Sequence, residues 1–138
     1  MTDPLRARAE AMWAEDRASA GLGMHLDGVA PGRACLSMPV TPAMANGHGI
    51  CHGGFIFALA DSAMAFAANP RGEAAVAEHA AITFIRPARV GEVLVAEAVE
   101  RMHAGRAGIY DVSVRTAKGE LVAEFRGHTR TIRGKPEG

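Results

Sequence analysis

Apolar and polar residues change rhythm along this chain, and the changes divide it into helices and strands. The opening stretch, TDPLRARAEAMWAEDRASAG, puts Leu5, Ala9, Met12 and Trp13 on one helical stripe. Asp3 is placed to cap it and Pro4 takes its first turn, so one amphipathic helix is expected. From residue 24 to 40 the period shortens to two about a turn at APGR, with Leu36, Met38 and Val40 on one face, which predicts a two-stranded hairpin. TPAMANGHGI then reads as a loop. Residues 53–69 form a helix that is apolar nearly all round and stops where Pro70 removes a backbone donor. Three or four strands are expected after it, from the stretches AVAEHAAITFIRPA, EVLVAEAVERMH, GIYDVSVRTA and ELVAEFRGHTRTI, with hairpin turns at RVGE, AGRAG and AKGE. RGKPEG at the end reads as a frayed tail.

Taken together these elements describe an α+β domain in which a curled antiparallel sheet wraps one long apolar helix. A length of 138 residues supports a single domain over 1–138 with its own core. The formal net charge is zero, which leaves no electrostatic footprint for nucleic acid or an acidic membrane. Cys35 and Cys51 have no framework spacing and read as reduced thiols. No leader or membrane span is expected, so the chain reads as soluble and cytoplasmic.

Burial accounts for the apolar helix but not for Asp61 within it. An ionised carboxylate among Phe57, Ala58, Met64 and Ala65 is costly unless it is paired or faces a cleft. It either lies on a solvent-facing stripe or has chemical work to do. At the other end, HGG occupies the helix start, where backbone N–H groups lack partners and the macrodipole favours negative charge. Gly53 and Gly54 either relieve crowding against the sheet or let a ligand approach an oxyanion hole with Gly53 as donor. Eight residues separate Gly53 from Asp61, about 12 Å along a helix. A carbonyl held at one would lie beyond reach of the other in the same chain. Two antiparallel helices about a two-fold axis near Phe57 would bring them together, giving two composite sites per dimer.

The string Asn46-Gly47-x-Gly49-x-x-His52-Gly53-Gly54, followed by Leu59-x-Asp61, resembles the hotdog-fold acyl-CoA thioesterases, most closely their phenylacetate-degradation (PaaI-type) subgroup. ITFIRPARVGEVLVAEAVE and RGHTRTIRG also look like that family's strands. The resemblance implies a helix wrapped by the sheet and dimers sharing one continuous sheet, commonly paired into homotetramers. It implies that the amide of Gly53 polarises the thioester carbonyl. Asp61 of the partner would act as nucleophile or as general base on water, with His52 and Asn46 orienting thioester or water. The expected reaction is hydrolysis of an aryl or arylacetyl coenzyme A thioester, such as hydroxyphenylacetyl-CoA, with no metal or redox cofactor.

A reactive thioester needs only a carboxylate and a preorganised dipole. Gly54 and Phe84 are further candidates for substrate contact, the latter with Phe55, Phe57 and Phe66 as possible acyl-pocket aromatics. Arg86 and Arg89, and more distantly Arg106 and Arg130, are candidates for the phosphates of coenzyme A. His48, Cys51, His52 and Asp61 fit no closed zinc motif. His25, His79, His103 and His128 are scattered along strands and turns. Two other readings stand beside hydrolysis: a non-catalytic acyl-CoA-binding regulator, against which the lack of an added DNA-binding domain counts, and a hotdog hydratase, which calls for a different Asp/His arrangement.

Overall fold

The computed structural model describes residues 3–132, except for the side chain of Arg71. The RGKPEG tail lies outside the described residues. Six strands form one antiparallel sheet: β1 (His25–Ala30), β2 (Arg33–Pro39), β3 (Ala75–Phe84), β4 (Val93–Ala104), β5 (Ala107–Thr116) and β6 (Leu121–Thr131), in the order β1-β2-β4-β5-β6-β3. The long helix α3 (Gly53–Ala68) comes between β2 and β3 in the chain. Because those strands stand four places apart in the sheet, their connection must cross its whole face. The crossing segment is therefore helical, apolar and buried, and it touches every strand.

Leu59, Ala60, Ala63, Met64 and Phe66 of α3 pack against inward-facing Leu36, Met38, Leu94, Val112, Val114 and Phe125. The approach is close at Gly127, where a Cβ would overlap the Met64 sulfur. A larger residue there would lift the helix off the sheet.

Asp3 caps α1 (Pro4–Glu15) by accepting from the Leu5 N–H at 3.0 Å. The expected single helix is in fact two. Asp16 ends α1 and caps α2 (Arg17–Gly21), its carboxylate accepting from Ser19 N at 2.9 Å and Ser19 Oγ at 2.7 Å. An aspartate that can bond nearby backbone competes with the helix ladder, and here it wins because Ser19 also bonds Ser62 of α3 at 2.8 Å. Of the expected stripe only Ala9 is fully buried, while Trp13 meets Phe66 with ring centroids 5.7 Å apart.

Pro70 is not alone in stopping α3. The Asn69 amide group donates to the carbonyls of Ala65 and Ala75, both at 3.1 Å, and its oxygen accepts from Ala75 N at 2.7 Å, which ties the helix end to β3. The strand expected over AVAEHAAITFIRPA ends at Phe84. β3 is an edge strand bonded only to β6, and Val76, Phe84 and the following Ile85 are 46%, 50% and 53% exposed.

Candidate active site

The loop 45–52 delivers the start of α3 to a defined place. Asn46 Oδ1 accepts from His48 N at 2.9 Å and Ile50 N at 3.4 Å, while Asn46 N donates to Ile50 O at 2.8 Å. Gly49 supplies the turn's positive φ of 75°. The loop then pairs with the segment after β3. Ile50 bridges Arg89, and Cys51 N donates to Ala88 O at 2.8 Å.

His52 caps α3, its Nδ1 accepting from Gly54 N at 3.2 Å and its carbonyl from Phe55 N at 3.0 Å. With Nδ1 accepting, the neutral ring carries its proton on Nε2. The Gly54 amide is thus occupied by the cap, and Gly54 itself is exposed at the helix start. Gly53 N–H makes no hydrogen bond among the described residues. It is a helix-terminal donor with the dipole behind it.

That donor belongs to a cleft of about 430 Å³. One wall is Ile50, Cys51, Gly53 and Ile56, the other is Phe84 and residues 85–88, and Asn46 also lines the space. The Phe84 ring packs on Gly53 so closely that a Cβ on the glycine would lie 2.8 Å from Cζ and 3.3 Å from Cε1 and Cε2. Among the candidate aromatics only Phe84 lines this cleft. Phe66 is core, Phe57 packs on Phe125 at 5.3 Å, and Phe55 packs on His52 at 6.3 Å.

Asp61 is not in the cleft lining. It is half-buried on α3, without a hydrogen bond or ion pair among the described residues, and burial raises its pKa above the ordinary carboxylate value. Continuous helix from Gly53 to Asp61 puts them about 12 Å apart along the axis. One chain therefore holds a lone amide donor and a lone carboxylate that do not face each other.

The arginines differ from one another in a way the sequence does not reveal. Arg86 Nη2 lies 2.7 Å from Glu92 Oε2, its Nε is 3.4 Å from Glu120 Oε2, and Nη1 donates to the Pro87 carbonyl. Two carboxylates already neutralise this guanidinium, so it makes a poor phosphate site. Arg89 is exposed and its guanidinium makes no hydrogen bond among the described residues, although its charge acts on Glu92, whereas Arg130 pairs with Glu78 at 3.3 Å. Arg106 is exposed on the β4–β5 turn, away from the cleft lining.

His79 and His128, apart in sequence, are cross-strand neighbours with ring centroids 5.4 Å apart. No group of three potential metal ligands occurs among the described residues. Sequence reasoning missed Ile50, Ile56, the apolar wall after β3 and the role of Glu92. Pro87, which cannot donate to a ladder, was the available signal that the strand stops short.

Residues 48–123 match the model of the thioesterase superfamily. The chain is 40% identical over 126 residues to the acyl-coenzyme A thioesterase PaaI of Escherichia coli K12, covering 91% of this chain and 90% of that one. The solved structure of E. coli PaaI, a protein of the phenylacetic acid degradation operon, superposes with a TM-score of 0.93 at 39% identity, over 96% of each chain. A variant of the phenylacetic acid degradation protein PaaI from Thermus thermophilus gives 0.81 at 38% identity, over 85% of this chain and all of that one.

Proposed function

This chain belongs to the thioesterase superfamily and is a thioester hydrolase with the hotdog fold, and we propose that it cleaves acyl-CoA, with aryl or arylacetyl-CoA as preferred substrates, at composite sites in a homodimer. One observation carries this reading: an unpartnered amide at the N-terminus of α3 opens into an apolar cleft, while an unpartnered carboxylate waits two turns further along.

The acyl group enters between Ile56 and the wall after β3, with its carbonyl oxygen directed at Gly53 N–H. As the tetrahedral centre forms, charge on that oxygen is met by the amide and the helix dipole, an arrangement typically worth on the order of 10²–10³ in rate per donor. Asp61 of the second copy attacks the carbonyl carbon or takes a proton from attacking water. Burial, by raising its pKa, makes it a better base than an exposed aspartate. Coenzyme A leaves as a thiolate. His52, which caps the helix, and Asn46, which lines the cleft, orient thioester or water. Arg89 takes the phosphates in place of the neutralised Arg86.

The open edge of β3, with Val76, Phe84 and Ile85 exposed beside it, supports pairing with a second copy, because a bare apolar strand edge is a template for another strand. Such dimers would pair further into homotetramers. No helix among the described residues is long and apolar enough to cross a membrane, and the proposed location is the cytoplasm.

Thiol release from a panel of aryl, arylacetyl and aliphatic acyl-CoAs tests the reaction. Mixing two inactive variants, one blocked at Gly53 and one Asp61→Asn, tests the site. Random exchange makes half the dimers mixed, each with one intact composite site, so activity returns to about a quarter of wild type. No recovery after verified exchange would refute sharing, and bound acyl-CoA without thiol release would favour a regulator.

A further inference from the structure

We propose that Glu92 is a positioning residue that clamps both walls of the acyl cleft at a fixed spacing without touching substrate. The inference rests on the thioesterase reading for its functional consequence but on the clamp's own geometry for its existence. Glu92 is held by rigid structure: its carbonyl accepts from Val40 N at 2.8 Å, and its N–H donates to Arg89 O at 3.0 Å. The carboxylate reaches from this frame to both walls. On one side Oε1 and Oε2 receive Arg86 Nη1 at 3.3 Å and Nη2 at 2.7 Å, gripping the segment that supplies Ile85, Arg86 and Pro87. On the other, Oε1 accepts from Arg89 N at 2.7 Å, and Arg89 bridges Ile50 of the opposite wall.

A two-toothed charged bond combined with a backbone N–H bond is stronger and more directional than neutral alternatives. The Arg86 hydrogen bond and then the Arg89 N–H hold the Glu92 carboxyl below its ordinary range, so the clamp stays ionised at neutral pH. Glu120 differs: it is more exposed, at 59%, and approaches Arg86 only at 3.4 Å. The wall residues lack the regular strand ladder of β3, so this carboxylate replaces part of what the ladder would supply.

Glu92→Gln keeps the side chain's shape and an acceptor for Arg89 N–H but loses the charged grip on Arg86. The expected result is a rise in KM of about tenfold for arylacetyl-CoA with kcat changed by less than about threefold, the split characteristic of lost binding geometry. Discrimination between bulky aryl and short acyl groups should narrow, and Glu120→Gln should leave all three quantities unchanged. Hydrogen exchange without substrate should be faster in Glu92→Gln at Arg89 and Cys51, the amides that join the walls. Unchanged exchange there, equal effects of the two substitutions, or a lower melting temperature with kinetics and exchange as in wild type would each overturn the clamp. A wild-type chain that released no thiol from any acyl-CoA would overturn the thioesterase reading alone, because the exchange comparison still decides the clamp.

Discussion

Gly53→Ala separates what the first residues of α3 do for stability from what they do for chemistry. Gly53 does not have positive φ, so its backbone accepts alanine without strain. Alanine is also the better helix former, by up to about 1 kcal/mol in a helix interior and less in a first turn. Against this, the new methyl would sit 2.8 Å from Phe84 Cζ. The clashing atom is the far end of a side chain that is 50% exposed, so the ring can swing away. Pushing it off its rotamer costs about 0.5–1.5 kcal/mol. The two terms nearly cancel, and the melting temperature should move by less than about 5 °C.

Activity has no such compensation. The methyl occupies the approach to the free N–H, and the displaced ring alters the facing wall, so kcat/KM should fall on the order of 10²–10³, as when an oxyanion donor is lost. Gly54→Ala is the internal control. A Cβ there meets only the His52 ring, at 3.5 and 3.9 Å, which is ordinary contact, so most turnover should survive. The assay is thiol release on both variants beside thermal melts. Full activity in Gly53→Ala, or equal losses in the two variants, would refute the assignment of the free amide as the reacting donor.

Three further outcomes follow from the same structure. Asp61→Asn should abolish most turnover while the oligomeric state, read by size-exclusion chromatography with light scattering, stays that of the wild type. Because burial raises the Asp61 pKa, its contribution to stability is favourable below the ordinary aspartate value and is lost as pH rises through the raised one. At neutral pH the asparagine variant should therefore melt no lower than wild type, and the acid limb of wild-type kcat/KM should lie above the ordinary aspartate pKa; a profile flat down to that value would contradict a catalytic carboxylate. His52→Ala should lose about 1 kcal/mol through the missing cap, measured by urea unfolding, whereas His52→Asn should recover the stability but not the imidazole's part in turnover. Asp111, gripped first by Arg126 and then by Arg101, has its pKa lowered to about 2. Its stabilisation is complete above the ordinary aspartate pKa and is lost as pH falls through about 2, so Asp111→Asn should cost on the order of 1 kcal/mol at pH 7, reduced by the exposure of both guanidinium groups, and progressively less as pH falls towards 2 in acid-unfolding curves.

Period and punctuation were enough to mark the hairpin, the later strand-like stretches, the long helix and its start at Gly53, because each depends on neighbours within a few residues. The same held for the Asp3 cap. Asp61 stood out because a charge among alanines and phenylalanines is a local contradiction. What the sequence left open depends on contacts between distant segments. Asp16 breaks the first helix because Ser19 finds Ser62, 43 residues away. Arg86 looked like a phosphate ligand until the fold brought Glu92 and Glu120 to it. AVAEHAAITF reads as a strand, but its place at the open edge follows from sheet order alone. Hydrogen-bonding rhythm is written along the chain at short range. Which charge is neutralised, which amide stays free and which edge stays bare are decided only when the crossing of α3 sets remote residues side by side.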